Sequence, residues 1–167
     1  MAGNEHPEIK PMIAYPMELI ESSIQEIRML SSRHVTPQKN INLEEMVQIL
    51  LKNFNQHTSI ASEFKIGEGD YDEISDDLKL NIYRIIQEHL NNIIKHAKAT
   101  RVYVNIDLLN NAIHLNIKDN GKGFDMMQQR NGIGISNMIN RIHSFNGEIV
   151  INSSPGEGCD TNIKIPY

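Results

Sequence analysis

Glu88, Asn92 and Lys95 stand four and three residues apart in Gln87-Glu88-His89-Leu90-Asn91-Asn92-Ile93-Ile94-Lys95-His96-Ala97. On a helix this spacing puts all three on one side. A carboxylate and a carboxamide one turn apart can both present oxygen to one hard cation such as Mg²⁺, and a lysine one turn further on can meet a phosphate. Further along, Asp119-Asn120-Gly121-Lys122-Gly123-Phe124 follows an apolar strand pattern. Glycines two apart let the backbone approach a ligand closely, and an aspartate at a strand end can accept a hydrogen bond from an exocyclic amine. Asn131-Gly132-Ile133-Gly134-Ile135 then opens a helical pattern, and exposed amides at a helix start bind phosphate. Each signal alone has a plainer reading: a solvated helix face with a local Glu88 to Asn92 hydrogen bond, an ordinary turn, and a helix start that needs flexibility. The acidic spacing of an EF-hand loop, the lysine of a P-loop and the third glycine of a dinucleotide fingerprint are missing.

The elements that must position these groups follow from periodicity. Leu78, Ile82, Ile85, Ile86, Leu90, Ile93 and Ala97 form one broad stripe on a helix running from Ser75 or Asp76 to about Ala97, with Glu88, Asn92 and Lys95 at its margin. Arg101 to Leu109 and Ala112 to Lys118 alternate as strands, joined by Asn110-Asn111, a pair that tolerates the positive φ of a tight antiparallel hairpin. A second helix, capped by Asn42, spans Leu43 to about Asn55, and Ser59 to Ile66 reads as a strand. Gly134 to about Asn146 has helical spacing. Gly147 to Ser153 and Cys159 to Pro166 are closing strands across Ser154-Pro155-Gly156-Glu157-Gly158. Met17 to Ser32 has the stripe of an amphipathic helix, broken at Val35-Thr36-Pro37, and residues 1 to 16, with three prolines, suit a frayed or non-native start.

Composition bounds the function class. The chain has 167 residues, one cysteine, no tryptophan, 5% aromatics and a net charge of −5. One ordinary domain with an aliphatic core follows, without a disulfide framework. No cationic block supports nucleic acid as a partner, and no apolar run supports membrane contact. A reducing cytoplasmic location is expected, either free or as the cytoplasmic part of a membrane-bound sensor.

The three signals lie in one order, Glu-x-x-x-Asn-x-x-Lys-His-Ala, Asp-Asn-Gly-x-Gly-Phe and Gly-Ile-Gly, followed by a Pro-Gly-Glu-Gly strand pair. In that order the chain resembles the ATP-binding catalytic domain of a bacterial two-component sensor histidine kinase. That domain belongs to the gyrase, Hsp90, histidine kinase and MutL superfamily, and the nitrate-sensor and desaturase-thermosensor type is the nearest subfamily. The resemblance covers residues 40 to 167. It implies a two-layer α/β sandwich of Bergerat type, with a mixed, largely antiparallel sheet covered by helices on one face.

The resemblance also implies ATP and Mg²⁺ as cofactors. Asn92 would be the magnesium-coordinating residue, with Glu88 as base or water-mediated metal partner, and Lys95 and His96 would approach the phosphates. Asp119 would receive the adenine amino group in a pocket shaped by Gly121 and Gly123. Gly132 and Gly134 would receive phosphates at the helix start, under a lid over 125 to 131 in which Arg130 contacts phosphate. Cys159 stands where the family commonly has threonine, which leaves Thr161 to supply the adenine-side hydroxyl.

None of the seven histidines is followed by an acidic residue as the family's phosphoacceptor is. Residues 17 to 36 resemble the second helix of the dimerisation hairpin, so the expected phosphoacceptor lies on an absent preceding helix. In the full-length protein this implies a homodimer that phosphorylates its own histidine and passes the group to a response regulator, with no autophosphorylation by this chain alone. A catalytically inactive ATP-binding module and a serine kinase of the anti-sigma-factor type remain alternatives.

Overall fold

The structure, a computed structural model, describes residues 41–125 and 133–167. The helix expected at 17 to 32, the chain start, Arg130, Gly132 and most of the proposed lid lie outside the described residues.

Helix α1 spans Leu43–His57, where Asn42 accepts the Glu45 N–H at 3.0 Å and Glu44 and Glu45 sit against the positive end of the dipole. Its buried residues, Leu43, Val47, Leu51 and Phe54, keep to one face. Thr58 ends it by donating both its N–H and its hydroxyl to the Phe54 carbonyl, at 3.0 and 2.9 Å. Strand β1, Ala61–Ile66, follows, and then a single 3₁₀ turn, Tyr71–Glu73.

Helix α2, Asp76–Asn92, starts where Ser75 accepts the Leu78 N–H at 3.3 Å, and Asp76 Oδ1 accepts the Ile41 N–H at 3.3 Å, tying the starts of α1 and α2 together. The expected stripe is the buried side, from Leu78 through Ile93. Lys79 is also buried and reaches toward Asp72 Oδ1 at 4.0 Å. Each fully buried Ile or Leu of this stripe stabilises the fold by about 1.5–3 kcal/mol. The last turn is not α-helical: Ile93–Ala97 is a π turn closed by Lys98 at φ 51°.

Strands β2, Arg101–Leu109, and β3, Ala112–Asp119, form the hairpin, with Asn110 and Asn111 at φ 53° and 55° as a two-residue turn requires. Helix α3, Ile133–His143, and strands β4, Glu148–Ser153, and β5, Cys159–Pro166, complete the chain. The sheet order is β1-β2-β3-β5-β4, with β1 parallel to β2 and every other pair antiparallel.

Strict alternation decides which sheet face is covered. Val102, Val104, Ile106, Ile113, Leu115, Ile117, Ile163 and Ile165 all point to the helices and are buried. The opposite face is polar: Asn116 donates to Asp160 Oδ1 at 2.7 Å and to Asn162 Oδ1 at 2.9 Å, and Lys118 lies 3.7 Å from Asp160. Two layers with one solvated sheet face result, as expected. Among the described residues no helix is long and apolar enough to cross a membrane.

Candidate functional site

The β3 to β5 register pairs Asp119 with Cys159 and Ile117 with Thr161, so Asp119, Cys159 and Thr161 share the helix-facing side at one end of the sheet. Above them the last turns of α2 carry Glu88, His89 and Asn92, and α3 brings Ile135 and Met138. Between these elements lies a cavity of about 480 Å³, open on one side, within the ordinary size of a small-molecule site.

The loop after β3 is held from three directions. Asp119 Oδ1 accepts the Gly121 N–H at 2.7 Å, and the Lys122 N–H donates to the Ala97 carbonyl at 2.7 Å, so the end of the π turn finds its partner in this loop. Asn120 Oδ1 accepts the N–H groups of Thr100 and Arg101, both at 2.9 Å. On the far side the Phe124 N–H donates to Ser153 Oγ at 3.0 Å, and the Ser153 hydroxyl donates to the Gly158 carbonyl at 2.7 Å.

Both glycines of the loop are sterically required. A Cβ on Gly121 would collide with the Ala97 carbonyl and lie 2.7 Å from Asp119 Oδ1. Gly123 is at φ 59° with the Ser154 carbonyl where a Cβ would stand.

Electrostatically the inner end of the cavity is governed by burial. Burial pushes the Asp119 carboxyl above the usual carboxylate range, against the Gly121 hydrogen bond that favours its charged form. Burial likewise raises the Cys159 thiol. The mouth is different: Lys95 and His96 are exposed cavity-lining residues.

Of the residues expected from sequence, Glu88, Asn92, Lys95, His96, Asp119, Gly123 and Thr161 line this one cavity. Gly121 shapes it by holding Asp119, and Gly134 is the second residue of α3. Asn92 Nδ2 is buried with no hydrogen-bond partner among the described residues, an orphaned donor in a cavity wall.

A family model described as histidine kinase-, DNA gyrase B-, and HSP90-like ATPase matches residues 77–167, more than half of the chain. The chain belongs to this ATPase family. Domains of the family bind ATP in general. The signal transduction histidine-protein kinase/phosphatase DegS of Brevibacillus brevis is 33% identical over 156 residues, which cover 89% of this chain and 39% of that protein. Sensor histidine kinase LiaS of Bacillus subtilis (strain 168) is 32% identical over 125 residues, covering 74% of this chain and 34% of that protein. The ATPase-family chain thus spans between a third and two fifths of these relatives. In fold it is similar to the histidine kinase domain of the blue-light activated histidine kinase of Erythrobacter litoralis EL346, with a TM-score of 0.59 at 16% identity, over 77% of this chain and 64% of that one.

Among the pocket residues of this ATPase domain that were not singled out from sequence as ligand contacts are His89 and Cys159. His89 falls on the apolar stripe of α2, and only its polarity at a core position signals it. Burial lowers its pKa from 6.5 to about 4, so the folded chain holds a neutral ring while the unfolded chain takes up a proton. Stability is therefore fully present above the unfolded pKa and is lost as pH falls toward the folded one. Denaturant unfolding should lose about 2 kcal/mol to this residue between neutral pH and pH ~5. His89→Leu should remove that part of the slope. An unaltered slope in the variant would rule His89 out as its source.

Proposed function

We propose that this chain is the ATP-binding catalytic part of a two-component sensor histidine kinase, with adenine at the closed end of the cavity and phosphates at its mouth. The observation that carries this reading is the buried Asp119 carboxylate. One of its oxygens is held by the Gly121 N–H, and the other is left for an exocyclic amine. The names of the curated relatives support the kinase assignment.

Asn92 and Glu88 fit Mg²⁺: both line the cavity one turn apart and offer hard oxygen donors. When bound, the ion supplies charge neutralisation on the phosphates. The chain's own residues do the rest. Asp119 and Thr161 orient the base. Lys95 and His96 meet phosphate oxygens, joined by Gly134 at the start of α3 and, on the sequence resemblance, by Gly132 and Arg130. Glu88 is the base or water-mediated ligand. Positioning and charge neutralisation are what phosphoryl transfer needs from the protein. The γ-phosphoryl then passes to a histidine on the dimerisation hairpin of a homodimeric, cytoplasmically placed kinase and on to a response regulator.

Mixing the chain with a separately supplied phosphoacceptor hairpin and γ-labelled ATP tests this reading. Acid-labile, base-stable label on histidine is the expected result. Acid-stable label on serine would instead indicate an anti-sigma-type kinase, and nucleotide binding without transfer an inactive module.

A further inference from the structure

Among the described residues, His89 of α2, Asp119 at the end of β3 and Cys159 at the start of β5 each offer one ligand atom, and these atoms all lie within 4.8 Å of one another. The three residues are 6%, 3% and 7% exposed and line the closed end of the cavity. The cross-strand pairing of Asp119 with Cys159 sets two of them side by side, and α2 lays the third over them.

We propose that this cluster is a site for a borderline-soft divalent metal, best matched by Zn²⁺, and that its occupancy excludes nucleotide from the cavity. A nitrogen, an oxygen and a sulfur ligand suit Zn²⁺, whose bonds of about 2.0–2.3 Å are met if the cluster contracts by roughly 1 Å, with the cavity side left for a fourth ligand. Mg²⁺ is disfavoured by the thiolate and imidazole.

Three independent features favour the site. His89 Nδ1 is buried with no hydrogen-bond partner among the described residues. Asp119 keeps one oxygen on the Gly121 N–H and has the other to give, and Cys159 Sγ has a weak 3.6 Å contact with Thr161 Oγ1 to exchange for a metal bond. The charges also close: a neutral imidazole, a carboxylate and a thiolate cancel a dication, which suits burial. Binding transfers the Cys159 thiol proton to solvent. Exclusion of nucleotide rests on the proposed role of Asp119, which cannot ligate a metal and receive the adenine amine at once.

Co²⁺ titration of the metal-free chain at neutral pH, without nucleotide, tests the site directly. Cys159 is the only cysteine, so a near-ultraviolet thiolate-to-cobalt band in the wild type reports its ligation with no mutation needed. One Co²⁺ per chain, displaced by Zn²⁺, is expected. His89→Gln and Cys159→Ser should each weaken binding by at least about tenfold, since even outer-shell partners of metal ligands are worth that much. Thermal melts would verify that both variants fold. Saturating Zn²⁺ should raise the apparent Kd for ATP by at least a similar factor. Absence of the thiolate band, or a band indifferent to His89→Gln, would overturn the metal site while leaving the nucleotide reading intact. A normal band with unchanged ATP affinity would overturn the exclusion and count against Asp119 as the adenine contact.

Discussion

Asp119→Asn should weaken ATP binding by at least about a hundredfold, because a charge-assisted hydrogen bond of about 1.5–3 kcal/mol is lost and a repulsive contact replaces it. The direction follows from the Gly121 N–H, which lies 2.7 Å from Asp119 Oδ1 and must keep an acceptor. The carboxamide of the variant turns its oxygen to Gly121 and its NH₂ into the cavity, where it meets the adenine NH₂ donor to donor. The substitution conserves volume and removes a buried charge, so the melting temperature should change little. Calorimetry with ATP and a thermal melt of the same sample separate the two effects. ATP affinity unchanged in a folded variant would remove Asp119 from the site.

Gly121→Ala is expected to damage both the site and the fold. Its Cβ would collide with the Ala97 carbonyl and lie 2.8 Å from the Ala97 Cβ, so either the π turn or the loop must move. The Lys122 N–H bond to the Ala97 carbonyl joins those two segments, and the shift carries Asp119 with it. Overpacking of this kind costs about 1–3 kcal/mol. Denaturant unfolding should show that loss, and ATP affinity should fall by at least about tenfold, since a displaced carboxylate forfeits about 1.4 kcal/mol or more of directed hydrogen bonding. Wild-type stability and affinity would mean that the loop has slack the geometry does not suggest.

The parts of the fold governed by local chemistry were legible in the residues. Asn42 caps its helix because a short polar side chain before an apolar stripe satisfies orphan amides. Asn110-Asn111 marks its hairpin because few other residues tolerate two consecutive positive φ angles. The parts set by tertiary pairing were not legible. Nothing in Ala61–Ile66 says that it pairs parallel with β2 at the sheet edge, since strand order depends on which connections pack over the sheet. The π turn at Ile93–Ala97 also escaped a plot at 100° per residue, because its cause lies in the loop at Lys122 that takes up the Ala97 carbonyl.

The candidate site divides along the same line. Glu88, Asn92 and Lys95 were visible as a spacing on one helix, and Asp119, Gly121 and Gly123 as a loop. Their convergence needed the register that puts Asp119 beside Cys159. His89 and Cys159 carry no local pattern. A histidine on an apolar stripe and a lone cysteine opening a strand gain meaning only when three elements bring them within 4.8 Å of Asp119.

On the proposed reading, a buried carboxylate at Asp119 recognises the exocyclic amine of adenine. Titrating the wild-type chain in parallel with ATP and GTP, both with Mg²⁺, tests it most directly. Guanine presents a carbonyl oxygen where adenine presents an amine, so the carboxylate would face an acceptor and the site's hydrogen bond would go unmade. ATP should bind and GTP should bind at least about a hundredfold more weakly, by the same energy that Asp119→Asn forfeits. Equal affinity for the two nucleotides, or binding of neither, would rule out that role for Asp119.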